Sequence, residues 1–358
     1  MASTRRRQPT LDDVADEVGV SRTTVSNAFN RPDQLSAALR EEVLRTAKRL
    51  GYAGPDPVAR SLATRRVGAI AFMLDTGVSA AFSDPALSIT LDALAAEVDR
   101  EGHALLLLPG GDHGGPPADR VLNAQADLAV AYSLADGAPA LRAVRDRGLP
   151  LVVIDQPYVS GAARVSTDDR GGAIAAARHL LDLGHRRFGI LSAQCLSEPR
   201  GGPMTAEEAA KSMFRDNRER LAGYVDTLAT AGVTGVPVWE TSGTSREQAR
   251  QAAGELLDGD PRPTALLCMS DELALGALAA ARQRGLRVPG ELSVVGFDDT
   301  PPAAWAEPAL TTVRQDLQRK GRLAGELALR LLAGRKAPPP VTLPVELVVR
   351  DSTGPRPA

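Results

Sequence analysis

The chain has 358 residues, is 43% hydrophobic and 24% charged, and carries 44 acidic against 42 basic side chains, so its formal net charge of −2 excludes a chain that is basic overall. The charge is unevenly divided: residues 1–66 hold 12 Lys/Arg and 8 Asp/Glu, a net of +4, and the other 292 hold 30 and 36, a net of −6. A basic head on an acidic body implies a partner for the head that the body does not share.

The length predicts more than one domain and is ample for a sizeable core. With aromatics at only 3%, that core must rest on Leu, Val, Ile and Ala. Cys195 and Cys268 stand far apart and are expected to be buried or incidental thiols rather than a disulfide. Arg5, Arg6 and Arg7 precede no apolar segment of about 7–15 residues, so a secretory signal is not expected. No apolar run approaches the ~18–20 residues of a membrane span. The expectation is a soluble, cytoplasmic protein that does not meet a membrane.

Taken in chain order, Thr10-Leu11-Asp12-Asp13 reads as a capping box, followed by Leu11, Val14, Ala15 and Val18 at helical spacing and Gly19 as stop. Ser21 caps a second short helix, Arg22 to Phe29, with Val25, Ala28 and Phe29 as its apolar side. Asn30-Arg31-Pro32-Asp33 breaks it. A third helix runs from about Ser36 to Leu50, with Leu39, Val43, Leu44, Ala47 and Leu50 inward and Gly51 as stop. Three short helices with a Gly turn between the first two make a helix-turn-helix headpiece over residues 1–54. Gly54-Pro55-Asp56-Pro57 ends it, and a short linker of 55–66 leads on.

Beyond residue 66 the texture changes. Apolar runs at 67–74, 104–108, 128–132, 151–154, 188–191, 265–269 and 293–297 alternate with helical stretches near 86–101, 138–147, 170–183, 218–231, 245–258 and 272–284. This βαβ pattern predicts parallel sheets with helices on both faces, and it is long enough for two. Loops are expected at 109–117 and 193–217, the latter with a helix-prone stretch at 205–216. The tail, 351–358, reads as disordered. The fold class is thus multidomain: an all-α helix-turn-helix headpiece plus an α/β body of two parallel-sheet subdomains.

A two-helix unit with a Gly turn can place its second helix in the major groove of double-stranded DNA and read base edges from that helix's N-terminal residues. Those residues are Arg22, Thr23 and Thr24, with Asn27 one turn on. Arg22 could pair with guanine and Asn27 with adenine. Ser21, Ser26 and Arg31 are better placed for phosphates, which set register without reading sequence. Thr10, which opens the first helix, belongs with these DNA-binding residues. The competing reading is an ordinary three-helix bundle with a solvated polar face.

The run Thr10-Leu-Asp-Asp-Val-Ala-Asp-Glu-Val-Gly-Val-Ser-Arg-Thr-Thr-Val-Ser-Asn-Ala-Phe-Asn30 resembles the headpiece of the lactose-repressor (LacI/GalR) family of bacterial transcription regulators. Ala59-Arg60-Ser61-Leu62-Ala63 is similar to that family's hinge helix. The resemblance implies that Leu62 wedges into the minor groove of a pseudo-palindromic operator, with Val58 and Ala59 packing alongside. An apolar wedge partly unstacks a base step and bends the duplex onto more protein. Leu62 could equally be a core contact of a short helix. Asp56-Pro57 departs from the amide and non-proline residue usual there.

The resemblance extends over nearly the whole chain through Leu180-Leu-Asp-Leu-Gly-His-Arg-Arg187, Arg220-Leu-Ala-Gly-Tyr224, Ser293-Val-Val-Gly-Phe-Asp-Asp299 and Pro308-Ala-Leu-Thr-Thr-Val313. It implies a periplasmic-binding-protein-like body over 67–350, with an N-terminal subdomain of about 67–160 and 317–335 and a C-terminal one of about 161–316 and 340–350. A small-molecule effector, a sugar by default, is then expected between them, beyond the carboxyl ends of the strands. Asp155 and Asp298 end strands at positions where the family places ligand carboxylates, and Arg220 falls on its ligand-binding arginine. An Arg flanked by carboxylates suits a polyhydroxylated ligand. Asp155 could instead be a cap, and Arg220 and Asp298 could serve a structural ion pair.

Ser270-Asp271 replaces the Asn-Asp pair of many members, putting a hydroxyl at Ser270. Phe82, in Phe82-Ser83-Asp84-Pro85, is the expected stacking aromatic, with Trp305 a second. The resemblance also implies a homodimer and a repressor's role. His103, His113, His179 and His185 are scattered, and Asp168-Asp169-Arg170-Gly171-Gly172 reads as a strand-to-helix turn with a capping Asp. No metal, cofactor or catalytic constellation is expected, so an enzyme is not. A plain solute-binding protein is the alternative that the body alone would suggest.

Overall fold

The computed structural model describes residues 9–54, 66–111, 114–196, 201–241 and 245–357. Val58, Ala59 and Leu62 of the expected hinge lie outside the described residues, as does His113. The chain divides into two compact units, Met1–Val67 and Gly68–Ala358.

The first unit is α1 (Leu11–Val18), α2 (Arg22–Asn30), a 3₁₀ turn over Pro32–Gln34, and α3 (Ala37–Leu50). The capping box is present: Thr10 donates its backbone N–H to Asp13 Oδ2 at 2.6 Å, and its Oγ1 accepts from the Asp13 N–H at 3.4 Å. Gly19 closes α1 at φ 73°, a left-handed conformation that a side chain would strain. Val14, Ala15, Val25, Ala28, Val43 and Ala47 form the buried core that holds the three helices together.

The second unit begins β1 (Ala69–Leu74), α4 (Val78–Ser83), α5 (Pro85–Asp99), β2 (Ala104–Leu108), α6 (Ala118–Asn123), β3 (Leu128–Tyr132), α7 (Pro139–Asp146), β4 (Leu151–Ile154) and β5 (Ala163–Thr167). It continues α8 (Asp169–Asp182), β6 (Phe188–Ser192), β7 (Gly202–Met204), α9 (Ala206–Ala209), α10 (Arg215–Thr230), β8 (Val238–Glu240), α11 (Arg246–Leu257) and β9 (Ala265–Cys268). Then come α12 (Asp271–Gln283), β10 (Ser293–Asp298), α13 (Pro301–Trp305), β11 (Thr311–Arg314), α14 (Leu317–Leu332), β12 (Val341–Leu343) and β13 (Glu346–Val348).

Two sheets result, in the orders β12-β5-β4-β3-β1-β2 and β13-β11-β10-β9-β6-β8-β7. The first is wholly parallel. The second is parallel except for its antiparallel edges, β13 on β11 and β7 on β8. Strands of the first sheet serve two cores at once. In β1, Ile70, Phe72 and Leu74 pack into one and Ala71 and Met73 into the other. That is why these segments read as continuous apolar runs.

Three boundaries differ from the expectation. β5 and β12 belong to the first sheet, where Val341 pairs with Val165, so the crossovers follow Thr167 and Leu343 rather than 160 and 340. β5 alternates inward Ala163 and Val165 with Arg164 and Ser166, a pattern too polar to stand out as an apolar run. Within 205–216 only Ala206–Ala209 is helical before α10 starts at Arg215.

The third difference is the tail, which is ordered and pinned. Ser352 is fully buried. Its Oγ accepts from the Thr311 N–H at 2.8 Å and donates to the Val294 carbonyl at 2.6 Å. His185, buried, lies 3.0 Å from both Thr264 Oγ1 and Ser293 Oγ, and 3.1 Å from the Gly354 carbonyl. The tail's small polar residues thus satisfy groups of β10 and β11 that would otherwise be buried unpaired. Cys195 and Cys268 are free and buried. Among the described residues no helix is long and apolar enough to cross a membrane.

Ser352→Ala would strand the Thr311 N–H in the core, at a cost of about 1–3 kcal/mol. A thermal melt of the variant is expected several degrees below wild type. A melting temperature unchanged within error would mean that the tail carries no stability.

Candidate functional site

On α2 the positions Arg22, Thr23, Ser26 and Asn27 fall on one arc of the helix, opposite the buried Val25 and Ala28. Ser21 caps the helix, accepting from the Thr24 N–H at 3.1 Å and lying 2.9 Å from the Thr24 hydroxyl. Arg22, Thr23 and Arg31 are exposed. Arg22 pairs with Asp12 of α1 at 2.8 Å, a solvent-facing contact that a phosphate or base could replace at little cost. Asn27 donates to Gln34 Oε1 at 3.1 Å, which orients its amide. Thr10 and Ser21 act as helix caps in this unit.

In the body, a cleft of about 230 Å³ opens between the two sheets, lined from strands' carboxyl ends and the first turns of helices. From the first subdomain come Asp75 and Thr76 after β1, Asp84 at the N-cap of α5, Tyr132 and Ser133 at the end of β3, and Asp155 and Gln156 after β4. From the second come Gln194 after β6, Phe214, Asp216, Asn217 and Arg220 around the start of α10, Ser270 after β9, and Asp298 at the end of β10. Gln315 and, on α14, Lys320 complete it.

Arg220 is held from behind. Its Nε donates to Asp169 Oδ1 at 2.9 Å, Nη2 lies 2.8 Å from the same oxygen, and Nη1 donates to the Met269 carbonyl at 2.5 Å. The guanidinium carbon sits 3.8 Å over the Phe297 ring, a cation–π contact. Burial opposes its charge, but the carboxylates of Asp169, Asp298 and Asp216 outweigh that and hold its pKa above the usual value.

Lys320 is its counterpart on the other side. Its Nζ donates to Asp155 Oδ2 at 2.9 Å and to Gln315 Oε1 at 2.5 Å. Gly321 lets α14 approach α5 closely enough to seat it there, since a Cβ would fall 2.3 Å from the Thr90 carbonyl oxygen. Asp155 is left with Oδ1 buried and unpartnered. Asp298 accepts from Gln315 Nε2 at 2.6 Å. Both aspartates sit at positive φ, 62° and 129°, backbone strain characteristic of positions kept for function.

The remaining carboxyls crowd one another. Burial pushes the Asp75 pKa up to about 7, with the charge of Asp216 adding to it. Asp216 is raised to about 6, first by burial and then by Asp169 and Asp155, against the opposing pull of Arg220. Asp84 is raised by burial and by Glu272, and Asp298 lies well above the ordinary value, chiefly through burial.

The structure therefore brings Asp155, Arg220, Ser270 and Asp298 into one cleft. Ser270 also caps α12, accepting from the Leu273 N–H at 3.2 Å. Its neighbour Asp271 points inward, accepting from the Thr300 N–H at 2.7 Å and the Thr312 hydroxyl at 2.5 Å. Phe82 and Trp305 do not line the cleft and are 78% and 79% exposed. Phe82 lies on α4 short of the turn, and it is Asp84 of the same motif that reaches the cavity; Trp305 ends α13, whose buried residue is Ala303. The lining aromatics are Tyr132 and Phe214 instead. Asp168 caps α8 as expected, through the Gly171 N–H at 2.9 Å, but the role of Asp169 beneath Arg220 was not foreseen. Lys320 carried a usable signal: a lone charge on an otherwise inward stripe of Leu317, Gly321, Ala324 and Ala328.

A helix-turn-helix unit joined to a two-sheet body with a polar cleft at its strand ends defines a DNA-binding regulator with a binding-protein-like sensor. Residues 10–54 match the bacterial regulatory proteins of the lacI family, and residues 177–353 match the periplasmic binding protein-like domain. An HTH-type transcriptional regulator of Mycobacterium tuberculosis is 43% identical, with 99% of each chain covered. The lac repressor dimer bound to operator and the anti-inducer ONPF is 28% identical, at a TM-score of 0.79, covering 97% of this chain and 100% of that one. The CelR transcriptional regulator in complex with cellobiose is 27% identical, at a TM-score of 0.69, covering 96% and 99%. The chain belongs to the lacI family of transcriptional regulators. Its regulatory role sets aside the plain solute-binding alternative.

The raised carboxyls make a pH prediction. A group whose folded pKa lies above its unfolded value of about 4 adds stability that is complete below that pH and is lost as pH rises through the folded pKa. For Asp216 and Asp75 the loss runs up through about 6 and about 7. Asp75→Asn is expected to shrink the fall in melting temperature of ligand-free protein between pH 5 and 8 by several degrees. Identical falls in variant and wild type would contradict the assignment.

Proposed function

We propose that this regulator represses transcription as a cytoplasmic homodimer. Two headpieces occupy major grooves of a pseudo-palindromic operator, and a polyhydroxylated small molecule, a sugar by default, binds the body cleft and alters that grip. The headpiece is assigned to residues 1–54, the hinge to 55–66 and the sensor to 67–350. Arg22, Thr23, Thr24 and Asn27 would face base edges, and Ser21, Ser26 and Arg31 phosphates, with Thr10 setting the first helix that supports them. Val58, Ala59 and Leu62 are given the minor-groove contact on the sequence resemblance. Asp155, Arg220, Ser270 and Asp298 would hold the effector.

The observation that carries the reading is the buried, unpartnered Oδ1 of Asp155 in a cleft where Arg220 is already clamped. An acceptor left unpaired costs free energy until a donor arrives, and a hydroxyl is such a donor. The lac repressor is seen with operator and the anti-inducer ONPF, and CelR with cellobiose. The cleft supplies recognition groups, and the relatives named are regulators, so no catalytic role is proposed. Coupling is reciprocal: an effector that weakens operator binding is itself bound more weakly on operator.

Paired substitutions separate the two ends. Arg22→Ala is expected to reduce specific operator affinity about 5- to 150-fold, the worth of a bidentate base contact, with effector binding intact. Arg220→Ala is expected to keep ligand-free operator affinity and abolish the effector response. Fluorescence anisotropy on labelled operator reads both. An Arg220→Ala protein that responds normally would mean the effector site lies elsewhere.

A further inference from the structure

Resting on that reading of the cleft, the charge inventory narrows what can enter it. Among the described residues six carboxyls line the cavity: Asp75, Asp84, Asp155, Asp216, Asp298 and Glu272, the last paired with Arg246 at 2.7 Å. Among the described residues only two cations do, Arg220 and Lys320, and both are engaged. Arg220 is spanned by Asp169 and the Met269 carbonyl, and Lys320 by Asp155 and Gln315. The carboxyls come from both subdomains, so they confront one another across the space a ligand would fill.

We propose that the effector is a compact, single-ring polyol without a phosphate or carboxylate, and that the cleft rejects anionic and two-ring relatives of it. An anion entering here would be desolvated with no uncompensated cation among the described lining residues to meet it. Whether protonated or ionised, the lining carboxyls supply no positive charge. They do supply acceptors, and Asp155 Oδ1, on a residue 8% exposed, has none of its bonding capacity used within the protein. A ring with several hydroxyls matches this, because each hydroxyl donates to a carboxylate while accepting from Arg220, Asn217 or Ser270.

Size points the same way. A space of about 230 Å³ lies below the range of about 300–1,000 Å³ found for sites of drug-sized ligands. A phosphate would find the charges of Arg220 and Lys320 already compensated by Asp169 and Asp155, which separates this chain from any relative that recognises phosphorylated metabolites.

Thermal shift on the full-length protein tests this with matched pairs. Neutral pentoses, hexoses and cyclic polyols are set against glucose 6-phosphate, glucuronate, maltose, cellobiose and nucleotides. At least one neutral single ring is expected to raise the melting temperature by several degrees, with its phosphate or carboxylate derivative bound at least tenfold more weakly. The proposal is overturned if an anionic or two-ring compound binds as tightly as its neutral single-ring parent, or if no neutral single ring binds. Asp155→Asn, with its fold checked by ligand-free operator binding, locates whatever binds. If an anion or disaccharide binds and is lost in Asp155→Asn, the cleft reading stands and only the charge and size inference fails. If binding persists undiminished in both Asp155→Asn and Arg220→Ala, the cleft reading itself fails.

Discussion

The guanidinium of Arg220 is buried, and an unpaired charge there would cost several kcal/mol. The pair with Asp169, the Met269 carbonyl and the face of Phe297 remove that cost together. Each partner lies on a different element: the start of α8, the end of β9 and the end of β10. One side chain from α10 therefore ties three elements of the second subdomain together where its strands end. The packing beneath makes this reachable. At Gly223, one turn along α10, a Cβ would lie 2.7 Å from both the Arg170 carbonyl oxygen and the Ala173 Cβ, so only glycine lets α10 settle onto α8 at this distance.

The first subdomain answers with the same device in another form. Lys320 reaches from α14 to Asp155 and Gln315, and Gln315 passes the connection to Asp298 and to the Thr167 hydroxyl, 3.2 Å away. Asp155 and Asp298 thus share a chain of hydrogen bonds across the two subdomains. Their left-handed backbone costs of order 1–3 kcal/mol each, which the parallel sheets behind them can bear. A ligand that engages either carboxylate acts on a network spanning both halves, and such a network can transmit its presence.

Much of this was legible in the sequence because it rests on short-range rules. The headpiece follows from caps and periodicity at Thr10, Gly19, Ser21 and Gly51, all local to one helix end. The parallel strands follow from apolar runs, and Asp155, Arg220, Ser270 and Asp298 from their places after strands or within a family motif. What escaped depends on contacts between distant segments. Asp169 looks like the second residue of a helical turn until α10 brings Arg220 over it. Tyr132 looks like the end of an apolar strand. β5 and β12 are short and polar-interrupted, and only their mutual pairing assigns them to the first sheet. Ser352 and Gly354 read as a loose tail because nothing local reveals that His185, Ser293 and Thr311 need their groups.

Arg220 and Asp169 thus form one unit whose halves depend on each other. A double-mutant cycle on ligand-free unfolding free energy measures this with Asp169→Leu, Arg220→Met and the two combined. Each single change is expected to destabilise the body by about 3–5 kcal/mol, because it leaves a buried charge uncompensated, and the double variant is expected to be closer to wild type than either. Additive losses, with the double variant the least stable of the three, would contradict it.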